Sequence, residues 1–130
     1  MTSKFFLPIA ATLLFALPAN AADEISLVGK WTGPRERIRQ EEGWKEGLAT
    51  LVITEQKGRT FTGHLVRANP SGDQTEPLWG AFTPGGRLIV AADEEGTYSF
   101  DLVDTKTLDF CYAESRPKAA AVCARLTRQP

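Results

Sequence analysis

The sequence predicts an all-β protein, an eight-stranded antiparallel up-and-down barrel. Three observations carry that expectation. Period-two alternation of apolar residues recurs along the chain, while helical periodicity is absent beyond the first two dozen residues. Gly- and Pro-bearing breaks separate short apolar runs at the spacing of a meander. Finally, an antiparallel meander of eight strands can close on itself and remove its exposed edges.

The chain opens on an address. Lys4 precedes an apolar run over residues 5–17, and Ala19-Asn20-Ala21 supplies a small-x-small cleavage site before Asp23 and Glu24. The run is too short to span a bilayer. Residues 1–21 are therefore expected to be a cleaved secretory signal peptide and residues 22–130 a single domain, delivered to the periplasm or secreted. The net charge of −1 over the full chain gives no footprint for nucleic acid or an anionic membrane.

Strands follow in order from there. Residues 29–31 form the first. Residues 39–47 read as a long first connection holding Trp44, either a lid over the barrel or an anchor on its rim. A three-residue loop at Gln56-Lys57-Gly58, with Gly58 left-handed, pairs Ile53 with Phe61, Leu51 with Gly63 and Ala49 with Leu65. A loop at Pro84-Gly85-Gly86 pairs Phe82 with Leu88, Gly80 with Val90 and Leu78 with Ala92. Glu94-Glu95-Gly96 pairs Ala92 with Tyr98, Val90 with Phe100 and Leu88 with Leu102. Asp104-Thr105-Lys106 pairs Leu102 with Leu108, Phe100 with Phe110 and Tyr98 with Tyr112.

Cysteines close the scheme. Cys111 and Cys123 would meet an oxidising compartment, where two cysteines usually form one structural disulfide. Opposing them directly sets Phe110 against Ala124, Tyr112 against Val122, Leu108 against Leu126 and Asp109 against Arg125. Apolar residues then share one face, and a slip of one residue would reverse them.

Gly29-Lys30-Trp31-Thr32 at the head of this meander resembles the calycin group, which includes lipocalins, avidins and fatty-acid-binding proteins. The resemblance implies that Trp31 plugs the closed end, covered by a basic residue of the last strand, with Arg125 at the matching place and Arg128 as the other choice. The opening is most similar to an avidin, and Phe61-Thr62-Gly63 adds to the likeness. Gly33 stands where avidins carry a polar residue, so biotin binding is not implied. The exported start leading into Gly29-Lys30-Trp31, with one disulfide, also resembles small periplasmic metalloprotease inhibitors. That second likeness implies a protein-binding role for residues 22–27.

No catalytic or metal constellation emerges, and no cofactor is expected. His64 is the single histidine and faces outward in this register. The candidate ligand-binding residues are the inward aromatics Phe82, Tyr98, Phe100, Phe110 and Tyr112, with Trp44 as lid. Around them the expected inner surface has no charge, so a ligand would be small and apolar or aromatic. Candidate interface residues are Trp79 and Ile89, taken as an outward apolar patch, together with Arg35, Arg37 and Arg39. Those alternating arginines share a face that suits an anion, although a solvated strand extension is the plainer reading. Two functions follow: a small-ligand binding module, or a protein-interaction module such as an inhibitor or subunit with a filled core.

Overall fold

Residues 2–5, 11–15 and 25–130 are described in a computed structural model of the chain. The expected cleavage site lies outside these residues, as do residues 22–24. Eight strands run in order: β1 (Gly29–Arg39), β2 (Gly43–Lys57), β3 (Thr60–Arg67), β4 (Gln74–Phe82), β5 (Ile89–Ala92), β6 (Gly96–Asp104), β7 (Thr107–Glu114) and β8 (Ala120–Arg128). Each pairs with the next antiparallel, and β1 pairs with β8 to close an up-and-down barrel. Among the described residues, no helix is long and apolar enough to cross a membrane.

Cysteine pairing anchors the register where the sequence placed it. Cys111 opposes Cys123 in a disulfide, with Phe110 on Ala124, Tyr112 on Val122, Leu108 on Leu126 and Asp109 on Arg125. The β6–β7 pairs of Leu102, Phe100 and Tyr98 with Leu108, Phe110 and Tyr112 are also those expected. Between β2 and β3 the inward faces are as predicted, but the partners shift by two residues. Gly58 and Arg59 make a two-residue turn with Lys57 opposite Thr60, and a bulge follows between Ile53 and Glu55, so Ile53 meets Gly63 and Leu51 meets Leu65.

Two expectations about strands are overturned. β5 is turned over: Ile89 and Ala91 point inward, opposite Phe100 and Tyr98. Its two flanking loops differ by one residue from those expected. Asp93 Oδ1 accepts the amide N–H groups of Glu95 and Gly96, which shortens that turn, and Thr83 closes the preceding loop through its backbone and hydroxyl on Leu88. Each change moves β5 by one place, and one place reverses every side chain. The second correction concerns residues 39–47. Only residues 40–42 form the connection, a tight turn with Arg39 opposite Gly43 and Glu41 in the left-handed region at φ 69°, and residues 43–47 belong to β2.

At the end where the chain enters, Trp31 is wholly buried. Its indole N–H donates to the Leu27 carbonyl at 3.0 Å, and the Arg128 guanidinium lies 4.3 Å from the ring centre. Gln56 holds the segment before β1, accepting from the Leu27 amide and donating to the Ile25 carbonyl. Arg125, the residue expected over Trp31, instead points outward and grips Asp109 through two bonds of 2.7 and 2.8 Å. Alternation explains the exchange: Arg128 has the parity of Leu126 and Val122, and Arg125 does not.

Above the plug the core is aromatic. Phe61, Phe82, Tyr98, Phe100, Phe110 and Tyr112 are all buried. Phe61 lies over Gly80, its cross-strand partner, where even a methyl group would collide with the ring. Tyr98 stacks on Phe100 at 5.7 Å and meets Tyr112 at 4.6 Å. The rings of Phe61, Tyr98, Phe100, Phe110 and Tyr112 pack on one another within the barrel.

Candidate functional site

The end opposite Trp31 is charged inside. Inward alternation along β1 continues past Trp31 and Gly33 to Arg35, Arg37 and Arg39, so these three arginines turn into the barrel instead of forming a solvated outer face. Arg67 on β3, Glu76 on β4 and Glu114 on β7 extend the inward series of their own strands in the same way. The expected charge-free interior is thus confined to the half nearer the plug.

This mouth has a basic and an acidic side. Arg37 donates to Glu42 at 2.7 Å, Arg39 lies 3.7 Å from both Glu42 and Glu114, and Arg67 is paired with Glu76. On the acidic side Asp93 accepts the hydroxyls of Tyr98 at 3.1 Å and Tyr112 at 3.3 Å, and Tyr112 also reaches Glu114 at 3.2 Å. Burial and the neighbouring carboxylates push both tyrosines well above their ordinary range. Burial likewise raises Glu114, with Glu95 adding to the effect, and raises Glu76 against the pull of Arg67.

Arg35 differs from the other arginines. It is 4% exposed, and neither its Nε nor its Nη1 has a hydrogen-bond partner among the described residues. Burial, then the charges of Arg67 and Arg37, lower its pKa from the usual arginine value. Its guanidinium lies over Gly47, where an added Cβ would come within 3.3 Å of Nη2. Gly33, Ala49 and Ala124 are the other small residues facing inward beside it.

The remaining predicted residues divide. Phe82, Tyr98, Phe100, Phe110 and Tyr112 do form one inward wall, and Tyr98 and Tyr112 adjoin the charged mouth. Trp44 is no lid: it points outward on β2, 83% exposed, opposite Ile38. Trp79 is outward, as expected, and 56% exposed. Its partner Ile89 is not, being 1% exposed within the core, and Val90 and Ala92 take its place beside Trp79. A shallow outer depression of about 740 Å³ runs from Trp79 past those residues to Ala113 and Ala121. His64 lies on the outer face between Val52 and Pro77.

The residues that the sequence reading missed are Arg67, Glu76, Asp93 and Glu114. For Arg67, Glu76 and Glu114 a signal existed. Each sits two places from a predicted inward residue, Leu65, Leu78 or Tyr112, and so keeps its parity.

Likeness to solved structures is one of fold. A protein of unknown function from the DUF3598 family of Nostoc punctiforme superposes with a TM-score of 0.58 at 11% identity, over 79% of this chain and 47% of its own. The chain thus spans about half the length of that neighbour. A redesigned β-barrel superposes with a TM-score of 0.56 at 12% identity, over 85% of this chain and 96% of its own. No family model and no curated protein sequence matches the chain.

Proposed function

We propose that the protein is an exported, non-enzymatic binding module of calycin-like build that takes a small molecule at the charged mouth of its barrel. The observation that carries this reading is the placement of Arg35, Arg37, Arg39, Arg67, Glu76 and Glu114 inside the barrel at the end away from Trp31. Ion pairs out of water offer little net stability against a well-packed apolar alternative. The plug half shows that this chain can fill a barrel with apolar side chains, so the charged half calls for another purpose. Tyr98 and Tyr112 offer aromatic faces at its floor, which suits a ligand with an apolar or aromatic part as well as polar groups.

Export is supported by Lys4, the apolar run and the small-x-small site. Phe5, Leu13, Leu14 and Phe15 are exposed, as suits a segment that leaves before the protein works. Trp31 beneath Arg128 at the closed end supports the calycin-like reading.

A second reading, a protein-interaction module, draws on exposed Trp44 with Ile38 and on Trp79 with Val90 and Ala92. Its inhibitor form is weakened, because Ile25 and Leu27 of the segment meant to enter a protease are tied to Gln56 and the core. Native mass spectrometry of protein purified from its own cells tests both readings. A retained small-molecule mass is expected; a bare chain that co-purifies with a stoichiometric protein would overturn the first reading in favour of the second.

A further inference from the structure

We infer that the group bound at the mouth is an oxyanion, a carboxylate or a phosphate, and that Arg35 is its seat. This rests on the mouth being the binding end and adds the chemistry of what enters it.

Charge balance singles out Arg35. Arg37 and Arg39 share Glu42, Arg39 also approaches Glu114, Arg67 has Glu76, and Arg125 has Asp109. Arg128 donates to the Ser26 carbonyl and lies over Trp31. Arg35 is the most enclosed of these and has no carboxylate partner among the described residues. A buried cation left without a partner is strongly unfavourable, and guanidinium does not relieve the cost by losing its proton. Two further arginines raise the potential at the same place, since Arg67 and Arg37 both act against the charge of Arg35.

The Arg35 guanidinium lies over Gly47, with Gly33, Ala49 and Ala124 the small inward residues beside it. Its Nε and Nη1 are closed off from solvent, so an anion reaches them only as neighbouring side chains at the mouth shift. These two atoms, without partners among the described residues, lie on different edges of the guanidinium; its Nε–Nη2 edge, the one Arg125 turns to Asp109, is the fork that takes two oxygens of a carboxylate or phosphate. Tyr98 and Tyr112 do not compete for the anion, because their hydroxyls are turned to Asp93. The acidic side of the mouth is thereby occupied by its own tyrosines, and the basic side keeps one unmatched charge.

The experiment is a thermal titration of protein purified from its own cells and exhaustively desalted. Sodium phosphate and sodium benzoate are the probes, with sodium chloride at matched ionic strength as reference. At tenfold excess over Kd, a saturable rise in Tm of about 5–10 °C beyond the chloride reference is expected. Whichever probe gives the larger response identifies the phosphate or the carboxylate source. Arg35→Met should fold with unliganded stability at or above wild type and lose at least tenfold in affinity. Arg35→Lys, which retains the charge but not the fork, should fold and bind more weakly than wild type. Exposed Arg87, replaced by Met, should respond as wild type does.

A wild-type response that survives in both Arg35 variants overturns the proposal. So does a wild-type protein that responds to neither probe beyond chloride. In that last case native mass spectrometry separates the two ideas. A retained neutral molecule leaves the mouth as binding end and removes the anion; no retained molecule removes both.

Discussion

Replacing Trp31 with alanine empties the closed end of the barrel. The indole is wholly out of water, donates to the Leu27 carbonyl at 3.0 Å and carries the Arg128 guanidinium 4.3 Å from its ring centre. Truncating a buried tryptophan costs roughly 3–5 kcal/mol. Two losses push toward the upper part of that range. The Leu27 carbonyl is left without its donor, and Arg128 loses the aromatic face, a contact worth about 0.5–2 kcal/mol. For a domain of this size the fall in Tm should be roughly 12–25 °C. Trp44→Ala and Trp79→Ala, both outward and exposed, should each shift Tm by no more than a few degrees. Calorimetry of the three variants at one pH and one scan rate makes the comparison. If Trp44→Ala or Trp79→Ala matched Trp31→Ala, the plug would not be the main anchor of the closed end.

Arg128→Ala should destabilise more than Arg125→Ala in urea melts, because Arg128 covers the plug while Arg125 holds an exposed partner; equal losses would contradict that division. Reducing Cys111–Cys123, which closes a loop of sequence separation 12, should cost about 2–3 kcal/mol, read as a shifted denaturation midpoint with and without reductant. The third expectation concerns pH. The folded protein holds the Glu114 proton more tightly than the unfolded chain does, through burial and then Glu95, with Arg39 and Tyr112 acting against them. Stability contributed by this group is therefore present below the ordinary glutamate range and lost as pH rises above it through the raised value. Glu114→Gln should flatten that decline in urea melts between pH 4 and 7; an unchanged slope would show that Glu114 is not its source. Glu76 shares the direction and should leave part of the slope in place.

Legibility in the sequence varied along the chain for physical reasons. The hairpin of β7 and β8 could be read residue by residue, since a disulfide and an unbroken apolar face constrain it at once. β5 could not. Its register depends on whether Asp93 caps its own turn and on how Thr83 closes a loop, and both are side-chain events invisible to apolar patterning. The turn after Arg39 was hidden as well, because Glu41, rather than a glycine, takes the left-handed position. The charged mouth was missed for a subtler reason. Apolar patterning does not signal an inward charge, so the sequence reading puts Arg35 on a solvated face and passes over Glu114, although their spacing from Trp31 and Tyr112 puts both inside.

The seam between β1 and β8 joins the first strand made to the last. Arg128 reaches the Ser26 carbonyl across 102 residues of chain. Without β8 the sheet has two open edges and the tryptophan has no cover, and the β1–β8 seam is the longest-range pairing in the barrel, the kind of contact that slows folding. Before β8 docks, the unpaired β1 and β7 edges are exposed to any other strand nearby. The β7–β8 disulfide shortens that interval, since it ties the closing strand to its neighbour and leaves one seam rather than two to be found.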